Sequence, residues 1–382
     1  MIISRRAALA LMGAPMLAAC SGPVDFTPEE FRSPEESVDA IPPEVVVESS
    51  FFARSTDGRH VDVAGAAPSG LVFATPHLDG RIGAIYVGST LDYDVAQRVE
   101  RVSPLRAPDG YTFVGFTAQA GQPAFPEDSD HPVAVVLNAD GTALPLRNMF
   151  GGFARGSYGV RWEFIVACVP VDGTCMLEVT DEGKTVKVDL LQGVPAVDDA
   201  WTSNAGFRDR QMVGFTPAGG VFEREFTTSP PAGIEAQTGL FRIGYEPANA
   251  FLAPWNPVHG WASQDRQWLT VPMNARIEFE VVAANIELDL PGSFTYRSVA
   301  GEAMPLITPQ TITTESVLRQ EADVIPTFEV TGRDRSASLT FNANGRMVVD
   351  YAEIQGVTAN FSSGAKPLQF EVVYRDGPDR FV

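Results

Sequence analysis

The sequence is poor in positive charge, in histidine and in cysteine. Its 28 lysines and arginines are outnumbered by 48 aspartates and glutamates, which gives a formal net charge of −20 at pH 7. A protein that binds nucleic acid through a broad basic face needs clustered lysines and arginines, so we expect no nucleic-acid partner. Disorder along the whole chain is also excluded, because the residues are 45% hydrophobic and 10% aromatic.

Reactive and metal-binding residues are equally scarce. The histidines are scattered singly along the chain, at His60, His77, His131 and His259. Because zinc sites usually take several His or Cys ligands at close spacing, we expect no metal site. The acidic run Glu127–His131 lacks the glycine and the distal glutamate of a calcium loop, which favours a solvated loop. No G-x-S-x-G motif and no phosphate-binding glycine loop occurs, so the sequence predicts no catalytic residue and no cofactor.

The apolar stretch near the N-terminus, Ala7–Ala19, follows two arginines and is shorter than the about 20 residues that span a bilayer. This order of basic and apolar residues is typical of an export signal. The residues Leu17-Ala18-Ala19-Cys20 resemble the lipobox of bacterial lipoproteins. The resemblance implies removal of residues 1–19 as a signal peptide and attachment of diacylglycerol to the Cys20 sulfur. A plain secretory signal that leaves Cys20 as a spare thiol is the alternative.

Two routes of export fit this signal. Ser4-Arg5-Arg6-Ala7-Ala8-Leu9 resembles a twin-arginine motif, although Ala8 stands where a bulky apolar residue is usual, and general secretory export fits equally well. On either route we expect the mature protein on the extracytoplasmic face of the cell membrane. Loss of residues 1–19 removes two basic and no acidic residues, which changes the net charge from −20 to −22. Without a polybasic patch, the acyl chains have to provide the attachment.

An acidic linker and then a β-rich region are expected after the signal. Residues 20–44 are rich in Pro, Ser, Asp and Glu without a sustained apolar period, which predicts a disordered linker. Beyond them, short runs of β-branched and aromatic residues recur between turn residues, which predicts an all-β fold. A short helix is expected at Asp92–Arg101. The expected strands include Ala84–Val87, Tyr111–Thr117, Val133–Leu137, Trp162–Cys168, Met176–Thr180 and Thr185–Leu190.

Four blocks of sequence recur in the same order in the second half of the chain. This repeat predicts two tandem immunoglobulin-like β-sandwich domains, at residues 45–200 and 208–382. It also predicts a tight hairpin in each domain, at Thr180–Lys184 and at Asn342–Arg346. Generic strand and turn composition is the alternative explanation of the matches. The blocks are Ser103–Leu105 with Ala253–Trp255, Asp140–Leu146 with Ala300–Leu306, Leu177–Val179 with Leu339–Phe341, and Gln192–Val194 with Gln355–Val357.

The two remaining cysteines, Cys168 and Cys175, are separated by a segment that contains Pro170, Asp172 and Gly173. These residues predict a turn, so the two sulfurs would face each other across a hairpin. Cysteines outside the cytoplasm usually pair, and we therefore expect a disulfide between Cys168 and Cys175.

Three tryptophans are the candidates for a ligand-binding surface. Trp255, Trp261 and Trp268 lie close together in the sequence. If they are exposed, they offer a stacking platform for sugar rings or an anchoring patch for a protein partner. The alternative is that they fill the core of the second domain, because Trp255 and Trp261 match the apolar Leu105 and Tyr111 in the repeat.

The sequence therefore predicts a non-enzymatic, lipid-anchored binding or scaffold protein of the cell envelope. Its partners would be the membrane, through the lipid, and an envelope protein or polysaccharide. The pattern resembles surface lipoproteins of high-GC bacteria with tandem immunoglobulin-like domains. The competing prediction is a carbohydrate-active enzyme with a carboxylate-based site in the second domain, which requires a deep acidic cleft and a carboxyl group whose pKa is raised by burial. A calcium-dependent adhesin is a third alternative.

Overall fold

The computed structural model describes most of the chain from residue 41 onward. The expected signal peptide, the lipidated Cys20 and most of the expected linker lie outside the described residues, as does the acidic run Glu127–His131. The described ranges are 41–125, 133–151, 161–236, 238–247, 250–279, 284–288, 290–303, 305–306, 311–314, 319–331, 336–342, 344–351, 354–361, 366–377 and 380–381.

Strands make up most of the described chain, which confirms the all-β prediction. The N-terminal half, residues 43–195, contributes the strands β1 (Val45–Val46), β2 (Phe52–Gly58), β3 (Ala67–Pro68), β4 (Val72–Ala74), β5 (Asp79–Gly88), β6 (Thr90–Leu91), β7 (Leu105–Arg106), β8 (Tyr111–Ala120), β9 (Ala134–Ala139), β10 (Thr142–Pro145), β11 (Trp162–Pro170), β12 (Cys175–Asp181), β13 (Lys184–Asp189) and β14 (Val194–Pro195).

The C-terminal half, residues 211–381, contributes the strands β15 (Gln211–Thr216), β16 (Gly220–Thr228), β17 (Thr238–Pro247), β18 (Phe251–Ala253), β19 (Trp255–Asn256), β20 (Gly260–Trp261), β21 (Arg266–Thr270), β22 (Met273–Phe279), β23 (Ala284–Leu288), β24 (Phe294–Ser298), β25 (Gly301–Ala303), β26 (Pro305–Leu306), β27 (Thr311–Thr314), β28 (Arg319–Val324), β29 (Thr327–Thr331), β30 (Ser336–Phe341), β31 (Gly345–Tyr351), β32 (Ile354–Phe361) and β33 (Leu368–Asp376). Short helices lie at α1 (Tyr93–Arg98), α2 (Asp199–Ser203), α3 (Ala205–Arg208) and α4 (Leu290–Ser293), and a 3-10 turn lies at Met149–Gly151.

The N-terminal half is built of three layers. Its central sheet has the strand order β2-β11-β8-β5-β3, with β4 paired to β5, and its outer sheet has the order β10-β9-β12-β13-β14. A third layer, formed by α1 and the small sheet β1-β7-β6, packs on the other face of the central sheet. One hydrophobic core therefore lies between the central and outer sheets, and a second lies beneath α1.

Strand β11 shows how the sequence produces these layers. Side chains alternate across a strand, so Ile165 and Val169 pack into the core against the outer sheet, whereas Phe164 and Cys168 pack beneath α1. Because both faces of this strand are buried, the run from residue 164 to residue 169 is apolar at every position.

The strands and the helix expected in the N-terminal half are confirmed. The expected strands fall within or overlap β5, β8, β9, β11, β12 and β13. The expected helix is α1, which begins after Asp92 because the Asp92 carboxylate accepts a hydrogen bond from the Val95 backbone N–H at 2.9 Å.

One of the two expected hairpins is confirmed. Strands β12 and β13 pair in register from Met176 with Asp189 to Asp181 with Lys184. Glu182 and Gly183 form the two-residue turn, with positive φ values of 48° and 76°.

The other expected hairpin, at Asn342–Arg346, is wrong. This segment connects β30 to β31, and those two strands belong to different sheets. Ser293 accepts hydrogen bonds from two backbone N–H groups of this segment. Its carbonyl oxygen accepts from the Asn342 N–H at 2.8 Å, and its hydroxyl oxygen accepts from the Asn344 N–H at 2.9 Å. The preference of Asn-Gly for a tight turn is thus overridden, because each strand pairs with other neighbours.

The predicted disulfide is absent, since Cys168 and Cys175 are both free and buried thiols. Strand β11 carries Cys168 toward α1, whereas β12 belongs to the outer sheet and carries Cys175 into the core on the opposite side of the central sheet. The turn residues between them therefore lead the chain from one sheet to another and do not form a hairpin. Burial raises the pKa of Cys168 to about 11 and that of Cys175 to about 12.

The C-terminal half contains two large sheets with matching strand orders. One has the order β25-β24-β30-β33-β15-β18-β21-β29-β26 and the other the order β27-β23-β31-β32-β16-β17-β22-β28. From β24 to β29, each strand of the first sheet is joined through a short connection to the strand in the equivalent position, from β23 to β28, of the second sheet. The half is therefore one array of long antiparallel strands that divides into two sheets along a line of short breaks.

The internal repeat corresponds to a shared three-strand arrangement. The orders β10-β9-β12 and β25-β24-β30 are equivalent, and they contain the second and third repeated blocks. The halves then diverge, because β12 pairs next with β13 whereas β30 pairs with β33. The chain from Pro43 to Val382 forms one compact unit, so the division into two immunoglobulin-like domains stays a prediction.

In the part of the chain that the structure describes, no helix combines the length and the apolar character needed to cross a membrane.

Candidate functional site

The two halves meet on a cluster of aromatic rings, which we call the aromatic seam. Trp255 lies at its centre and is 5% exposed, with its ring centroid 5.1 Å from those of both His77 and Phe125. The rings pack edge to face, which is the favoured geometry of aromatic pairs. The seam consists of His77, Phe125, Phe207, Phe251, Trp255 and Trp261.

The three candidate tryptophans have different environments. Trp255 and Trp268 are each only 5% exposed, as the core alternative expects, and the Trp268 indole N–H donates to the Gly260 carbonyl at 2.9 Å. Trp261 is half-buried, pairs with Trp255 across β19 and β20, and donates its indole N–H to the Glu182 carbonyl at 2.8 Å. Trp261 lines a cavity that neither Trp255 nor Trp268 lines.

This cavity has a volume of about 460 Å³ and lies beside the seam. Its wall combines the start of β13, the helices α2 and α3, and the loop between β20 and β21. The segment between the two expected domains, around residues 200–208, therefore folds into helices that shape a cleft. Polar and charged side chains around Trp261 include Lys184, Asp199, Thr202, Ser203, Gln264, Asp265, Arg266 and Gln267.

Local interactions hold the connecting helices against this cleft. The Asp198 carboxylate caps α2 by accepting from the Trp201 N–H at 2.8 Å. Gly206 in α3 lies directly against Gln267, where an added Cβ atom would come within 2.9 Å of the Gln267 side chain. A glycine at this position lets α3 approach strand β21, which carries Gln267.

Lys184 holds a positive charge over the Trp261 ring. Its ammonium donates to the Asp199 carboxylate at 2.8 Å and to the Ser203 hydroxyl at 3.0 Å, and it lies 5.2 Å from the centroid of Trp261. Because Asp199 is 85% exposed, the ion pair adds little to stability and serves mainly to fix the ammonium over the ring.

A buried ion cluster joins the halves outside this cavity. The Asp79 carboxylate is fully buried in the N-terminal half and lies 3.6 Å from the Arg210 guanidinium and 3.4 Å from that of Arg380. Arg380 also donates to the carbonyls of Phe207 and Arg208. Desolvation raises the pKa of Asp79 to about 6 against the opposing effect of the two arginines, and it lowers the pKa of Arg210 to about 10.

The competing enzyme prediction requires an acidic cleft that contains a carboxyl group with a raised pKa. Asp79 is a carboxyl group with such a pKa, but it lies in the N-terminal half and does not line the cavity beside Trp261. The cavity beside Trp261 combines an aromatic face with hydrogen-bonding groups.

A cluster of polar side chains also lies at the seam, and the sequence did not predict it. The Asp181 carboxylate accepts from the His77 backbone N–H at 2.8 Å and lies 2.9 Å from His77 Nδ1, while Glu182 Oε1 lies 3.8 Å from the same nitrogen. The His77 and Asp181 side chains are each 4% exposed. His77 and Asp181 are 104 residues apart, so no local spacing in the sequence signals their contact.

Comparison with models of protein families, with curated proteins and with solved structures finds no match to this chain.

The variant Asp79→Asn tests the buried ion cluster. Because the pKa of Asp79 is raised from 3.8 to about 6 in the folded protein, ionisation of this group opposes folding. Its contribution to the free energy of unfolding is therefore most favourable below about pH 4 and declines by up to about 3 kcal/mol as the pH rises through about 6. We expect the difference in free energy of unfolding, wild type minus variant, to decrease as the pH rises through this range. Urea titrations at each pH measure this difference.

The matched control for this experiment is Asp172→Asn, which removes a carboxylate from an exposed turn. Wild-type and Asp79→Asn stabilities that run parallel over the whole pH range would contradict a raised pKa at Asp79.

Proposed function

We propose that this protein is a non-enzymatic, lipid-anchored protein of the cell envelope that binds a polysaccharide in the cleft beside Trp261. The observation that carries the proposal is the half-buried indole of Trp261, fixed in orientation and surrounded by hydrogen-bonding side chains. A cavity of about 460 Å³ suits a ligand the size of a few sugar units, since ligand sites measure about 300–1,000 Å³.

The chemistry of the cleft supports a sugar ligand. A pyranose ring presents an apolar C–H face that packs on an indole, and hydroxyl groups around its edge that hydrogen-bond to amide, hydroxyl and carboxylate groups. Trp261 provides the indole, and Gln267 and Ser203 are among the polar groups around it. The Trp261 N–H is occupied by the Glu182 carbonyl, so the ring acts through its face and not through its donor.

The charge of the cleft favours a neutral glycan over an anionic one. Three carboxylates and two cations line the cavity, namely Asp199, Asp209, Asp265, Lys184 and Arg266. The whole chain carries a formal net charge of −20, so its field repels polyanions. A neutral polysaccharide is repelled neither by the carboxylates of the cavity nor by the net charge of the chain.

The sequence supports the location. Leu17-Ala18-Ala19-Cys20 resembles a lipobox, and the acidic residues that follow it fit a linker between a lipid anchor and the compact unit that begins at Pro43. With no polybasic patch in the sequence, the anchor would rest on acyl chains.

The variant Cys20→Ala tests the anchor in the host cell. We expect it to abolish incorporation of labelled palmitate and to move the protein from the membrane fraction to the soluble fraction. The adjacent variant Ser21→Ala is the matched control and should keep both properties. Membrane retention of the Cys20→Ala protein after a high-salt wash would count against a lipid anchor at this position.

Glycan binding is tested with residues 21–382, which contain the whole compact unit. The neutral and the anionic polysaccharide fractions of the host envelope are cast separately into native gels. We expect retarded migration in the neutral fraction, loss of at least tenfold in affinity for Trp261→Ala because the stacking face is removed, and partial recovery for Trp261→Phe.

Val258→Ala is the matched control, because Val258 is 78% exposed in the turn between β19 and β20 and does not line the cavity. Migration that is unaffected by either fraction, or retardation that survives Trp261→Ala in a variant with an unchanged melting temperature, would overturn the proposal.

A further inference from the structure

We propose that His77, Asp181 and Glu182 form a binding site for a zinc-like divalent transition-metal ion at the junction of the two halves. One imidazole nitrogen and one oxygen from each carboxylate lie within 4.8 Å of one another. This site is separate from the sugar-binding proposal, because none of the three residues lines the cavity beside Trp261.

The spacing of the three groups fits a common coordination sphere. Zinc bonds to nitrogen and oxygen of about 2.0–2.2 Å place neighbouring ligands of a tetrahedral ion roughly 3.4 Å apart. The His77 Nδ1 atom lies 2.9 Å from Asp181 Oδ1 and 3.8 Å from Glu182 Oε1, each about half an ångström from that spacing. The two carboxylate oxygens lie within 4.8 Å of each other. A mixed nitrogen and oxygen set favours zinc over calcium, which prefers oxygen ligands alone.

The surroundings hold the ligands in place before any ion binds. The His77 backbone N–H donates to Asp181 Oδ2 at 2.8 Å, which orients the carboxylate so that its other oxygen faces the imidazole. Trp255 packs edge-on to the imidazole at a centroid distance of 5.1 Å. Such an apolar and hydrogen-bonded setting is typical of the outer shell of metal sites.

The turn that supplies the carboxylates has a second unusual feature. Glu182 occupies a left-handed backbone position, φ 48°, that favours Asn or Gly over a residue with a long side chain. The Trp261 indole of the C-terminal half fixes this turn through its hydrogen bond to the Glu182 carbonyl. Strain of this kind is often retained where a side chain has a role.

Binding of the metal ion requires one particular tautomer of the His77 imidazole. The neutral imidazole must carry its proton on Nε2 so that Nδ1 can offer its lone pair, and the ion then takes the place of a proton between Nδ1 and Asp181 Oδ1. Because the ion joins the loop at His77 to the hairpin at Asp181, its binding to the folded protein should raise thermal stability.

The test is titration of residues 21–382 with zinc chloride by calorimetry, together with melting curves in zinc chloride, calcium chloride and chelator. We expect one zinc ion per chain, a higher melting temperature in zinc than in chelator, and no shift in calcium. Glu182→Gln should weaken zinc binding at least tenfold while it keeps the hydrogen bonds between His77 and Asp181.

Glu178→Gln is a closely matched control, because Glu178 lies on the same hairpin and its side chain is 26% exposed, against 25% for Glu182. It should bind zinc as the wild type does. Absence of zinc binding, equal affinity in the wild type and Glu182→Gln, or equal losses in both variants would overturn the proposal. Glycan binding by Trp261 is measured separately, in the presence of chelator. The sugar-binding proposal and the zinc proposal can therefore fail independently of each other.

Discussion

The burial of Trp255 between the two halves is the interaction on which the rest of the site depends. Its ring packs edge-on against His77 and Phe125, and each such aromatic pair contributes about 0.5–1.5 kcal/mol beyond the burial of its area. Lys184 belongs to one half and Trp261 to the other, so their contact at the cleft exists only while the seam is closed. The same is true of the hydrogen bond from Trp261 to the turn at Glu182.

The buried ions set orientation at this junction more than they supply stability. Asp79 is fully buried between Arg210 and Arg380, and desolvation of such a cluster offsets most of its Coulomb attraction. Arg210 directly precedes the C-terminal half and Arg380 lies near its end. The Gln119 side-chain amide also donates to the Phe381 carbonyl at 2.6 Å. The end of the chain is thereby fixed in one position on the central sheet, while apolar contacts at the seam provide the attraction.

The elements of the N-terminal half were predictable from the sequence because their signals are local. Alternating burial and turn residues locate strands such as β12 and β13, and an aspartate at a helix start locates α1. The choice of sheet for each strand was not predictable. The turn after Cys168 and the Asn-Gly pair at residues 344–345 both suggested hairpins, yet each leads the chain into a different sheet, since pairing partners far along the chain decide the topology.

Only one residue of the candidate site was predictable from the sequence. Trp261 was identified as an aromatic that could face a ligand, but its partner Lys184 and the contact of His77 with Asp181 depend on packing across more than 70 residues. These contacts should make residues 43–382 one cooperative structure. Differential scanning calorimetry of residues 21–382 tests this most directly. A single transition with equal calorimetric and van't Hoff enthalpies is the predicted result, and two separate transitions, one for each half, would contradict it.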